Sequence, residues 1–302
     1  MSKYIFNLPP SHYGNARDMM FDEFDTTWAH IQKYKDQRTF AVLPIENAED
    51  DGEVVYNFNN EFYRCDDFTD KHEPGKHVLF GGCSQTEGVG SPLETVWAKM
   101  IFNKLNSNGL VDGYFNLARS GYGWQKIISS FLAYVKKYGY PDYFFVLLPN
   151  VGRFFEWDEE RSDWFYVQRY PEKGNRKDLK KREVKPSVFD QTPMTMDEHR
   201  RSIIDFYLGW RMLIEICRTN NVKLLWSTWD YSEYGNYNFF DSSNTIVELS
   251  SHAFQNYFID KRPDGKEQKH DIQRRDGHHG ILYHEYWYES FMNEIEKRGW
   301  FK

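Results

Sequence analysis

Lys76-His77-Val78-Leu79-Phe80-Gly81-Gly82 is a short apolar run closed by two glycines. Four to eight apolar residues without alternation suit a strand buried on both faces, and the glycines suit a tight turn at its carboxyl end. The same grammar recurs downstream. Residues 114–117 read as a strand leading into Ser120-Gly121-Tyr122-Gly123, residues 143–148 as a third, and residues 222–227 as a fourth.

Helical periodicity separates these runs. Ser91-Pro92-Leu93-Glu94 has the form of a capping box, and Leu93, Val96, Trp97, Met100 and Ile101 share one face, which predicts a helix over 92–105. Trp124, Ile127, Ile128, Phe131 and Val135 predict a second, stopped by Gly139 and Pro141. Thr195-Met196-Asp197-Glu198 opens a third, carrying Ile203, Phe206, Trp210, Leu213 and Cys217, and a last helix is expected over 281–297. Strands alternating with helices require crossover connections. The expected fold class is therefore α/β: a three-layer α/β/α sandwich with a mainly parallel sheet, whose ligands bind beyond the carboxyl ends of the strands.

Outside this frame the texture changes. Residues 1–74 lack helical periodicity and contain Leu8-Pro9-Pro10 and an acidic stretch over 46–53, so they read as an irregular N-terminal extension to a domain spanning 75–302. Within that domain, residues 153–195 are charged and aromatic and are broken by Pro171, Gly174 and Pro186. They read as an insertion near the strand ends, with Arg153, Trp157 and Trp164 candidates for the substrate mouth.

Composition narrows the function. A formal charge of -7 over 302 residues argues against a partner tracked through its phosphates, so no nucleic acid is expected. The basic run over 176–185 is interrupted by Asp178 and Glu183 and reads as a solvated face. Cys65, Cys83 and Cys217 have no paired spacing, which suggests neither a disulfide framework nor zinc. His72, His77, His278 and His279 are not completed by a carboxylate or thiolate cluster, so neither metal nor cofactor is expected. The first ten residues hold no long apolar core, and no apolar run approaches 18 residues. Neither a signal peptide nor a membrane span is expected, and the chain reads as soluble.

The chemistry-bearing residues sit at strand ends. Ser84 follows the first strand in Gly82-Cys83-Ser84-Gln85-Thr86-Glu87-Gly88. A serine nucleophile needs a base, and the base needs a third group to set its tautomer. Asp276-Gly277-His278-His279 supplies both on one turn: Asp276 against one imidazole nitrogen of His279, the other nitrogen left for the serine. Oxyanion donors are then expected from the Ser84 and Gly121 N–H groups and the Asn150 amide.

In this order the residues resemble the SGNH, or GDSL-like, hydrolase family. Gly82 to Gly88 matches its first block with Cys83 in place of Asp; Asn116 to Gly121 matches the second; Asp276 to His279 matches the last. The third block is displaced, with Asn150 in Leu148-Pro149-Asn150-Val151-Gly152. The resemblance implies an esterase working through an acyl-enzyme without a cofactor, on small esters or acylated glycans. The extension, with Phe62-Tyr63-Arg64 ahead of the serine block, is similar to SGNH-like proteins of tailed phages. Two rivals follow: a virion or surface-attachment protein that binds glycan, protein or itself with little catalysis, and an O-acyltransferase. Cytoplasm and phage particle are the locations these readings imply.

Overall fold

The structure is a computed structural model that describes residues 39–42, 54–59, 61, 63–69, 73–149, 153–158, 163–168, 196–229 and 279–301. The acidic and basic stretches noted above lie outside the described residues. In chain order the elements are β1 (Thr39–Val42), β2 (Val54–Asn57), β3 (Val78–Gly82), α1 (Ser84–Glu87), α2 (Trp97–Ser107), β4 (Phe115–Asn116), α3 (Trp124–Tyr138), β5 (Tyr143–Leu148), β6 (Arg153–Asp158), β7 (Asp163–Gln168), α4 (Met196–Thr219), β8 (Lys223–Thr228) and α5 (Ile281–Lys297).

Four strands form one sheet in the order β4-β3-β5-β8, parallel throughout. Successive side chains leave opposite faces, so each strand feeds two cores. Leu79, Phe144, Val146, Leu224 and Trp226 pack with Ile127 and Phe131 of α3 and Phe206, Trp210 and Leu213 of α4. Val78, Phe80, Phe145, Leu147 and Leu225 pack with Trp97 and Ile101 of α2 and Trp287, Phe291 and Ile295 of α5. Helices on both faces make the three expected layers and explain why the strands read as unbroken apolar runs.

The path through the sheet places the crevice. From β3 the chain crosses over α2's face to reach β4; it then reverses direction, crossing by α3 to β5 and by α4 to β8 on the other face. A single crossover hand demands this change of face when direction reverses. The connections leaving β3 and β5 therefore diverge, and a crevice opens between their carboxyl ends.

One element departs from the sequence reading. The helix expected from residue 92 begins at Trp97, with Val96 at its N-cap and a 3-10 turn, Leu93–Thr95, before it. The capping box does not form: the Ser91 N–H donates to the Gly88 carbonyl, and the Glu94 carboxylate takes an amide hydrogen from Asn103 instead. The insertion opens with the antiparallel hairpin β6–β7, in register Trp157 to Trp164. From the segment before Gly75, Tyr56, Tyr63 and Arg64 are fully buried. Among the described residues no helix is long and apolar enough to cross a membrane.

Candidate active site

Ser84 is the first residue of α1, a single helical turn folded back on the carboxyl end of β3. Two glycines make the turn possible. A Cβ on Gly82 would stand 2.1 Å from the Thr86 hydroxyl oxygen and 2.9 Å from the Leu147 carbonyl oxygen, so no larger residue lets α1 close on β3 and β5. Gly88 caps α1 in the left-handed conformation, φ 77°, where a Cβ would meet Val96 at 2.2 Å. Ser84 is 5% exposed, and its hydroxyl lies 3.9 Å from the Cys83 sulfur. Cys83 itself is wholly buried in the α3–α4 core, so its thiol packs and is not presented to solvent.

The Gly121 turn is bonded to the same helix. Tyr122 N–H donates to the Arg119 carbonyl at 3.1 Å, and Gly121, φ 83°, holds the third position of a turn that requires positive φ there. A Cβ on Gly121 would meet nothing within 4 Å, so the turn borders open space. The Ser120 N–H donates to the buried Glu87 carboxylate. Asn116 donates its amide to the Thr86 carbonyl at 2.9 Å and accepts from the Ala118 N–H at 2.9 Å. Glu87 stands three residues, one helical turn, from Ser84, so these bonds set the spacing between serine and glycine turn.

Arg64 braces the far side of α1. Its guanidinium donates to the carbonyls of Gly88 at 2.6 Å and Ser91 at 3.0 Å, and lies over the Tyr56 ring at 4.1 Å. A buried cation is tolerated when carbonyl oxygens and an aromatic face replace its water. Neither Arg64 nor Glu87 was singled out by its local pattern, since their partners are 20 or more residues away.

His279 immediately precedes the Gly280 N-cap of α5. Its ring meets Tyr283 at 4.1 Å, Trp287 at 5.3 Å and Trp229 at 5.5 Å between centroids, each near edge-to-face. Trp229 follows β8 directly, and its N–H donates to the Leu148 carbonyl at the end of β5. Ser84 follows the carboxyl end of β3, and His279 packs against the residue that follows the carboxyl end of β8. Among the described residues the Ser84 hydroxyl is bonded to Cys83 alone. Asp276 and Asn150 lie outside the described residues.

Positive charge gathers around the Gly121 turn. Arg119 lies 5.7 Å over the Tyr63 ring and Lys126 5.8 Å over the Tyr122 ring, and the two tyrosine hydroxyls are 3.3 Å apart. Burial, and then the neighbouring Arg119 charge, lower the Lys126 pKa from 10.5 to about 8. Burial pushes the Tyr122 hydroxyl well above its ordinary range. Across the crevice, the Arg153 guanidinium lies 5.3 Å from the centroid of the Trp229 ring that meets His279.

No protein-family model and no curated protein sequence matches this chain. Solved structures similar to it include the psychrotrophic esterase EstA from Pseudoalteromonas sp., at 11% identity and TM-score 0.38, covering 73% of this chain and 96% of that one. TesA is similar at 11% identity and TM-score 0.40, covering 73% and 98%. The acetyl xylan esterase AlAXEase is similar at 13% identity and TM-score 0.39, covering 72% and 98%. The chemistry of the site rests on this chain's own residues.

Proposed function

We propose that the chain is a serine hydrolase that cleaves an ester through an acyl-enzyme on Ser84. The observation that carries the reading is the shared edge: a serine opening a helix at the carboxyl end of β3, and an imidazole held by three aromatic rings beside the carboxyl end of β5, on either side of a topological crevice.

In this reading the Ser84 oxygen forms a bond to the ester carbonyl carbon while its proton passes to His279. The N–H groups of Ser84 and Gly121, with the Asn150 amide, hold the oxyanion. Collapse breaks the bond to the alcohol, which takes the proton from His279, and water repeats the sequence in reverse to release the acid. Asp276, three residues before His279, sets the tautomer. Catalytic hydrogen bonds are commonly long in free enzymes and shorten in the reacting complex, so the serine–imidazole contact is one that substrate completes. Small esters and O-acylated carbohydrates are the proposed substrates.

The test is labelling with a fluorophosphonate probe beside hydrolysis of a short-chain aryl ester, for wild type, Ser84→Ala and His279→Gln. Serine-dependent labelling and turnover support the reading. Glycan or particle binding without labelling assigns the chain to the attachment class, and acyl transfer to added sugar exceeding release to water assigns it to the transferases.

A further inference from the structure

Helix α4 is apolar on two opposite sides, and the core uses one of them. Phe206, Trp210 and Leu213 are buried against α3 and the sheet. A step of two residues turns a helix by about 200°, so Leu208, two residues from both Phe206 and Trp210, points away from that core. It is 67% exposed, and Ile204 at 55% and Met212 at 50% continue the stripe one turn before it and one turn after. Single apolar side chains on a surface need no explanation. Three in line on the outer face of a 24-residue helix do.

The charges beside the stripe say what fits it. Arg201 stands seven residues before Leu208 and Glu215 seven after, each within about 20° of the line of the stripe. Asp205 and Arg211 repeat the opposition at an offset of three. A pattern that reverses sign about its own centre is complementary to itself turned end for end. When a second α4 lies antiparallel across the first, with the two-fold axis at Leu208, Ile204 comes level with Met212 and Arg201 with Glu215, each pairing occurring twice. A parallel partner would set Arg201 against Arg201 and Glu215 against Glu215. Arg201 is exposed and enters no ion pair among the described residues, while Glu215 meets Arg211 at 3.0 Å and Arg218 at 2.7 Å. Pairs of that kind on one exposed helix are weak, so the partner's Arg201 competes for the same carboxylate.

We propose that the outer face of α4 is a self-association surface, across which two copies of this chain pair antiparallel and bury Ile204, Leu208 and Met212 of both. The pairing is independent of the ester-cleaving reading, since neither Ser84 nor His279 belongs to α4.

The experiment is analytical ultracentrifugation of the full chain over a dilution series. Wild type is expected to be a dimer that dissociates on dilution. Leu208→Glu, which would bury two carboxylates at the axis, should raise the dissociation constant by about 100-fold or more. Arg201→Glu should raise it by roughly 10-fold through two like-charge contacts, and Arg201→Glu combined with Glu215→Arg should recover most of that loss. Direction is read by oxidative cross-linking. Leu208→Cys should form a disulfide with its own copy. Ile204→Cys and Met212→Cys chains should cross-link when mixed but not alone, because each residue stands about 12 Å along the seam from its own copy, beyond disulfide reach. The cross-links decide the matter even where Leu208→Glu fails to fold. A chain that stays monomeric throughout the series overturns the proposal and assigns the stripe to another occupant. A dimer indifferent to Leu208→Glu, or Ile204→Cys cross-linking to itself, overturns it as well.

Discussion

The two ends of the central sheet are built on opposite plans. At the amino end, Asp142 accepts from the N–H groups of Gly75 at 2.7 Å and His77 at 3.1 Å, and its own backbone joins β3 to β8 through His77 and Lys223. His77, weighed above as a metal ligand, instead shares a 2.6 Å hydrogen bond with Tyr134 and is wholly buried. Polar groups there meet other polar groups of the scaffold. At the carboxyl end the glycine turn borders open space, and among the described residues the serine hydroxyl is bonded to a thiol alone and cations lie near aromatic rings. Satisfied groups stabilise a fold; a hydroxyl beside an open glycine turn is what a site needs.

The sharpest way to break this contrast is to remove the serine. Ser84→Ala is expected to lower ester turnover by about 10,000-fold or more, leaving thermal unfolding within a degree or two, as activity assay and calorimetry would show. Retained turnover would put the chemistry elsewhere. Next in size, Asn150→Ala should lower turnover roughly 100-fold through loss of one oxyanion donor, with kcat falling rather than KM rising.

At the other end the expected pattern inverts. Asp142→Ala strands two N–H groups and should cost about 1–3 kcal/mol of stability by denaturant titration, while turnover per folded molecule stays unchanged. A matching loss of turnover would mean that the two ends are coupled.

The smallest effect is one of pH. Lys126 carries a proton affinity lowered to about 8 in the fold against 10.5 in an open chain. Between those values the unfolded state holds more protons, so this residue makes stability rise with pH across the interval. Cys65 and Cys217, raised by burial, work in the opposite sense above their ordinary value of 9.0, and Tyr114 and Tyr134 do so above 10.0. Unfolding midpoints measured from pH 7 to 10 should therefore climb in wild type between pH 8 and 9 and fall beyond it, and Lys126→Met should be more stable at pH 7 and lose the climb.

Much of the scaffold was legible because its signals are local. Tyr143–Leu148 and Ile281–Lys297 run as their apolar patterns foretold, since a doubly buried strand and an amphipathic helix each state their period within a few residues. The capping box at Ser91 does not form because other partners take its groups: the Gly88 carbonyl accepts from the Ser91 N–H, and Asn103 donates to the Glu94 carboxylate from nine residues away. The site divides along the same line. Ser84, the Gly121 turn and His279 are candidates read from strand-end position and motif order, whereas the contacts of Arg64, Glu87 and Trp229 have no local signature, being made with partners distant in the chain.

By itself, then, the order of residues determined the alternating elements, the layered class and the glycines that every tight turn needs, because period and backbone conformation are properties of short stretches. Tertiary structure alone decided that Arg153 would lean on Trp229, that Glu87 would hold the Ser120 N–H, and that serine and imidazole would share an edge. Those are matters of strand order and packing, which bring together residues that the chain keeps far apart.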